Sequence, residues 1–343
     1  MEENKMKKTL SLILALILVC GVALPAFAAE STHDVESLVY CIDEQTAESY
    51  REGFARLPVE KAKSNIMNAI AAIPRIGSLS AVFRGISDLF SALVQIPSRR
   101  AAFTFSELRY NTGTNSIVYR EEAASNGTLS NTIPVLISSE KPVAKEADAE
   151  ALLEMYNNAV KKTNDNGGLK GIYAVNIIDG SLKSENENLT ELMNIYVSAG
   201  SLNSSGEESE IPGKGAVEID DIKDIYAASV DGKTIIRILL NDQASDGYGI
   251  SDNYSVRHGV GDMGNYIKSL SDSGIKIVSG KETIEINYTD AYITCIIDDA
   301  TGQITGGTWH KITSLNHGDA EAEIFSATLD MNYSFAMNQD IVF

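Results

Sequence analysis

The chain predicts an α+β fold: a helical N-terminal segment, then an antiparallel β-sheet, a meander or half-barrel, flanked by helices. Three observations carry this. Up to Pro97 apolar residues recur three and four positions apart. After Arg99-Arg100 the period shortens to two. From Ile222 onward alternating runs are separated by turn signals such as Asp231-Gly232. The 343 residues divide into an export signal (1–28), a helical segment (29–100) and a sheet domain (101–343), with a sub-boundary near 141–146.

The first 28 residues have the order of a secretory signal. Lys5, Lys7 and Lys8 precede an apolar run from Leu10 to Leu24, and Pro25 and the small-residue site Ala26-Phe27-Ala28 follow. The run is shorter than the roughly 20 residues a membrane-spanning helix needs. Cleavage is expected after Ala28. Val19 stands where lipidation of Cys20 would want a small residue. The protein is therefore expected to be secreted or retained at the cell surface.

In the helical segment Val35, Leu38, Val39 and Ile42 form one stripe, continued by Tyr50 and Leu57 and interrupted at Pro58. Ile66, Met67, Ile70 and Ile73 mark a second helix, ended by Pro74. A third spans Leu79–Val94, with Ser78 as N-cap. Leu79, Val82, Phe83, Ile86, Leu89, Phe90, Leu93 and Val94 fall within an arc of about 140°. Its polar face carries Arg84 alone, balanced by Asp88, so the spacing reads as a core-packed helix rather than a membrane-surface one.

Beyond Arg100, Phe103 and Phe105 share a face and Asn111-Thr112-Gly113 is a turn leading to Ile117–Tyr119; Thr132–Ser138 is a strand. Ala147–Lys162 reads as a helix with Leu152, Leu153, Tyr156, Ala159 and Val160 inward, acids in its first turn and lysines in its last. Tyr173–Ile178 is a strand and Leu189–Val197 a short helix. Residues 199–215, rich in Ser, Gly and Glu, read as a mobile loop. Ile225–Val230 and Thr234–Leu240 flank the Asp231-Gly232 hairpin turn. A helix near Met263–Leu270 precedes Ile275–Val278, Thr283–Tyr288, Ala291–Ile297, Gln303–Ile312 and Ile324–Phe335. In the last of these, Leu329, Met331, Tyr333 and Phe335 alternate with Asp330, Asn332 and Ser334.

Composition excludes some functions. The chain has 47 acidic and 28 basic residues, net −19. Residues 111–343 hold 35 of the acidic and 16 of the basic ones. Such a surface repels phosphate backbones, so nucleic acid is not an expected partner. Cys41 and Cys295 follow the signal; export permits a disulfide between them, while two buried free thiols are the default reading.

No catalytic motif is complete. Ser251-Asp252-Asn253 matches one element of serine β-lactamases, but Ser138-Ser139-Glu140-Lys141 lies at a strand end and no Lys-Thr-Gly exists. Gly232-Lys233-Thr234 lacks the first glycine of a phosphate loop, with Ala227 in its place. His310, His317, Asp319, Glu321 and Glu323 cluster in sequence without zinc-site spacing; His310 should project opposite to Trp309, and His317-Gly318 reads as a turn. Asn241-Asp242 and Asp246-Gly247 lack the EF-hand pattern. Asp220, Asp221 and Asp224 read as a capped turn rather than an acid–base pair. No cofactor is expected.

The region from about residue 140 to the end resembles a family of uncharacterised exported proteins of Gram-positive anaerobes. The resembling pieces are Leu153-Glu154-Met155-Tyr156-Asn157-Asn158-Ala159, Ile219-Asp220-Asp221-Ile222-Lys223, and Asp298-x-x-Thr301-Gly302-x-Ile304. The resemblance implies export and carries no site residues. The helix-then-meander order is also similar to exported lipoprotein-carrier and lipid-binding half-barrels, a fold-level analogy. The expected function is a non-enzymatic envelope or secreted binding protein with an apolar ligand, the Leu79–Val94 helix plugging the sheet's concave face. Phe83, Phe90, Tyr292 and Trp309 are its candidate ligand-binding residues. A surface hydrolase with paired carboxylates and a structural or interaction protein are the alternatives.

Overall fold

A ten-stranded, mostly antiparallel sheet dominates the computed structural model, which describes residues 33–55, 108–111, 116–120, 132–183, 204–208, 210–272, 275–324 and 327–343. Val35–Phe343 forms one unit and Met1–Asp34 another. The signal segment with Ala28, the Leu79–Val94 helix with Phe83 and Phe90, and the helix expected at Leu189–Val197 lie outside the described residues.

The described chain begins with a 3-10 turn (Val35–Ser37), strand β1 (Tyr40–Ile42) and helix α1 (Glu44–Ala55). This corrects the expectation of one helical stripe through Val35–Ile42. Asp43 accepts the Thr46 N–H at 2.7 Å, which starts the helix only at Glu44. The β-prone Tyr40-Cys41-Ile42 before it pairs in parallel with β4 (Thr132–Ile137). β4 also pairs with β3 (Ser116–Arg120), and β3 with β2 (Leu108–Asn111), giving a four-stranded sheet.

The large sheet runs β5 (Val143–Lys145), β8 (Ile222–Val230), β9 (Lys233–Leu240), β12 (Ile284–Asp298), β13 (Gln303–Ile324), β14 (Ala327–Val342), β6 (Gly171–Lys183) and β7 (Ser204–Glu208). Two further strands, β10 (Gln243–Ser245) and β11 (Ile275–Ser279), pair with β12 and β13. β7 lies within the stretch expected to be a loop. An edge strand needs only backbone bonds on one side, and a Ser-Ser-Gly-Glu-Glu segment can supply them without an apolar face.

β12 runs through what the sequence divides into two strands. Register shifts between Thr289 and Tyr292, and Asp290 takes φ 50°. This bulge moves the alternation by one residue: Ile284, Ile286 and Tyr288 before it and Ile293, Cys295 and Ile297 after it all enter the main core. His317-Gly318, expected to be a turn, is likewise part of β13; a second bulge there puts Asp319 at φ 47°.

Each face of the sheet has its own cover. On the first lie helix α2 (Ala149–Asp165), α3 (Ser255–Gly259) and α4 (Tyr266–Asp272). Asp148 caps α2 by accepting the Ala151 N–H at 2.7 Å, and Leu152, Leu153, Tyr156 and Ala159 pack on the sheet. Two polar bonds fix its register: Trp309 Nε1 donates to the Tyr156 hydroxyl at 3.1 Å, and the Ile304 N–H donates to Thr163 Oγ1 at 2.9 Å. On the second face β4 lies over β12, β13 and β14. There Leu38, Val39 and Leu136 bury Ala228, Val230, Ile235 and Ile296.

Candidate functional site

The second face continues from that apolar patch into a buried polar one. Strand register sets it out in two rows. Arg237 of β9, Thr294 of β12 and Thr308 of β13 are cross-strand neighbours. One step along, Tyr292 of β12, His310 of β13 and Asp340 of β14 are neighbours. Asn338 lies two residues from Asp340 on the same side of β14. The odd-numbered neighbours Ile293 and Trp309 point into the opposite core, so these side chains share the second face.

His310 is 1 % exposed, and its Nδ1 lies 2.7 Å from Asp340 Oδ1, a carboxylate equally buried. Its ring stacks on Tyr292 with centroids 4.7 Å apart and planes 26° apart. Arg237 lays its guanidinium over the same ring, Cζ 3.6 Å from the centroid, and its Nη1 donates to Thr294 Oγ1 at 2.6 Å. Since β9 and β13 flank β12, the Tyr292 ring is held between guanidinium and imidazole. Burial, reinforced by the Asp340 charge, pushes the Tyr292 hydroxyl well above its usual range and keeps it neutral.

This patch is left unsatisfied. Among the described residues, six buried side-chain atoms have no hydrogen-bond partner, and five belong to it: Arg237 Nε, Thr308 Oγ1, His310 Nε2, Asn338 Oδ1 and Asp340 Oδ2. Buried polar atoms are normally paired, so five on one patch make it the candidate site. Asp290 Oδ2 lies 3.8 Å from His310 Nε2. Asp290 sits on the bulge with its side chain 65 % exposed, so the patch meets solvent there.

The polar groups elsewhere show what completion looks like in this molecule. On the first face Tyr266 and Tyr333 share a hydroxyl hydrogen bond; the Tyr333 hydroxyl meets His317 Nδ1 at 2.8 Å, and His317 Nε2 donates to the Gly280 carbonyl at 2.9 Å. Arg257 donates through Nε to Asp262 at 2.8 Å and through Nη2 to the Gly249 carbonyl at 2.8 Å, while Gln243 also donates to Asp262. Arg237 has no such carboxylate among the described residues.

Of the residues singled out by sequence, Tyr292 belongs to this patch. Trp309 lies on the opposite face, 1 % exposed, edge-on to Phe343 at 5.2 Å. The two are therefore not brought together as an apolar ligand surface. His310 does project opposite to Trp309. Asp221 is committed elsewhere: it accepts the Glu218 N–H at 2.8 Å and meets His258 Nδ1 at 2.7 Å. Among the described residues no three His, Cys, Asp or Glu side chains converge as metal ligands, and no helix is long and apolar enough to cross a membrane. There too, Cys41 and Cys295 are free thiols, placed in clusters on opposite faces of the sheet. Sequence reasoning missed Arg237, Thr294, Thr308, Asn338 and Asp340. For Arg237 the available signal was a lone charge inside an apolar strand, Thr-Ile-Ile-Arg-Ile-Leu-Leu; Asp340, following Asn338 and Gln339, carried no such signal. Comparison of the chain with family models, curated proteins and solved structures finds no match.

Proposed function

We propose that this is an exported, non-enzymatic binding protein whose ligand seats on the polar patch of the second face. The five buried atoms without partners carry this reading. A ligand would supply the hydrogen bonds that the fold withholds, in an enclosed setting where each counts for more than in water. The ligand is polar, in place of the apolar one that the half-barrel analogy and the Leu79–Val94 helix suggested. On the first face, α2 and the side chains of Tyr156, Trp309 and Tyr288 already fill the space over the sheet.

A second reading has a specific observation behind it. An imidazole oriented by a buried carboxylate, with its other nitrogen unengaged, is also the arrangement of a general base. Incubation with glycan, ester and peptide panels separates the two. The binding reading expects no turnover, and a higher melting temperature of the secreted protein with a small polar solute. Turnover lost in His310→Gln would overturn it, as would co-purified lipid whose removal alone shifts the melt.

A further inference from the structure

We infer that the patch takes a small zwitterion with its carboxylate and ammonium several bonds apart, as in an unblocked di- or tripeptide; the inference rests on the binding reading above. The unpartnered groups are sorted by kind across the sheet. Toward β9 and β12 stands a cation, the Arg237 guanidinium, held flat on Tyr292 and steadied by Thr294, with a buried Nε that donates to nothing. A guanidinium fork presented this way suits a planar carboxylate, which accepts two parallel N–H bonds. Toward β13 and β14 the unused atoms accept: Asp340 Oδ2 and Asn338 Oδ1. Beside them His310 meets Asp340 Oδ1 through Nδ1 at 2.7 Å and leaves Nε2 without a partner, on the side where Asp290 reaches solvent. An ammonium group, three donors and no acceptor, fits that end.

Spacing sets the length. The guanidinium lies over β12 and the Asp340 carboxylate belongs to β14, two inter-strand steps of roughly 4.8 Å each. The charges of a single α-amino acid are too close together to reach both ends. Two or three residues, at roughly 3.3–3.6 Å each, span the gap. The Thr308 hydroxyl, midway on β13 and also unpartnered, can donate to or accept from a peptide group between the ends. A simple anion would use Arg237 and leave the acceptors bare; a neutral polyol would leave the guanidinium without its counter-charge.

Isothermal titration calorimetry on the secreted chain tests this with trialanine, its N-acetyl and C-amide derivatives, alanine, phosphate and glucose. Trialanine should bind, and either blocking group should weaken it at least about tenfold. Arg237→Gln should abolish the effect of amidation while keeping that of acetylation, and Asp340→Asn the reverse. Blocked and free trialanine binding equally would overturn the zwitterion, and this arm needs no variant to fold. Phosphate or glucose binding in an Arg237-sensitive way, with trialanine silent, would overturn the zwitterion and leave the binding reading standing. Silence from every probe would overturn both.

Discussion

Replacing Asp340 with valine strips His310 of its acceptor inside an enclosed site. Asp290, at 3.8 Å and largely in solvent, is too far away to take over. Replacing His310 with leucine leaves the Asp340 carboxylate with both oxygens bare. Breaking a buried pair from either side strands the other partner, and each single variant should cost about 3 kcal/mol. The double variant His310→Leu/Asp340→Val strands neither. Apolar replacement of a whole buried pair is often neutral or stabilising, so the double should cost no more than about 2 kcal/mol, far below the roughly 6 kcal/mol of additive losses. Urea unfolding followed by Trp309 fluorescence measures all four proteins. Trp309 is the sole tryptophan, buried on the opposite face, so it reports global unfolding without touching the substituted side chains. A double variant near the additive sum would refute the reasoning, because His310 and Asp340 would then be held by separate partners. Singles costing under about 0.5 kcal/mol would also refute it, because the pair would not be desolvated.

Other outcomes follow from the same structure. Gly232, at φ 67° with open space where a Cβ would sit, should tolerate alanine at about 1 kcal/mol, whereas a Cβ on Gly307 would lie 2.5 Å from the Thr294 carbonyl and should cost well over 2 kcal/mol; paired urea melts compare them. Without reductant, iodoacetamide should label partly exposed Cys41 in the native protein and Cys295 only after denaturation, since burial pushes that thiol up to about 12; an unlabelled disulfide pair by mass spectrometry would contradict this. Burial holds His317 below its ordinary value despite its bond to the Gly280 carbonyl. The unfolded chain therefore binds the extra proton first, and stability should fall as pH drops from about 6.5 through the lowered folded value. The pH slope of stability between about 7 and 5 should flatten in His317→Gln; an unchanged slope would count against it.

Features with local causes were legible in sequence. The Asp231-Gly232 hairpin forms with φ 49° and 67°, as a two-residue turn of the right twist requires. Helix α2 was legible in its inward face, although Asp148, read as part of its first turn, stands just before it as the cap, and Asp298 closes the turn before β13 by accepting from both the N–H and the hydroxyl of Thr301 at 2.8 Å. Features whose causes are distant were not. Tyr40–Ile42 becomes a strand because β4 lies beside it, a pairing invisible to a helical-period count. Thr289-Asp290 reads as a break, yet the sheet absorbs it as a bulge because flanking strands continue on both sides. The site depends most on distance of all. Arg237, Tyr292, His310 and Asp340 come from four strands, and only register shows that they share a row or a diagonal. Tyr292 and Trp309 looked equivalent as aromatic strand residues, but the alternation after the Asp290 bulge sends them to opposite faces.

The contrast between those faces bears on why the patch exists. Leaving a buried polar atom unpaired costs about 1–3 kcal/mol, so five of them represent about 5–15 kcal/mol, comparable with the entire stability of an ordinary domain. The same chain completes the His317 and Arg257 networks, so the deficit does not reflect a general inability to pair its polar groups. A molecule carrying such a deficit regains it when a ligand supplies the missing partners, and mass action then makes its stability rise with ligand concentration. The His310→Leu/Asp340→Val protein separates the two roles of the patch. It should melt at or near the temperature of the parent in buffer, and no polar solute should raise that temperature further. If the parent itself gains nothing from any polar solute while the double variant is markedly weaker in buffer, the patch is structural and the binding reading fails.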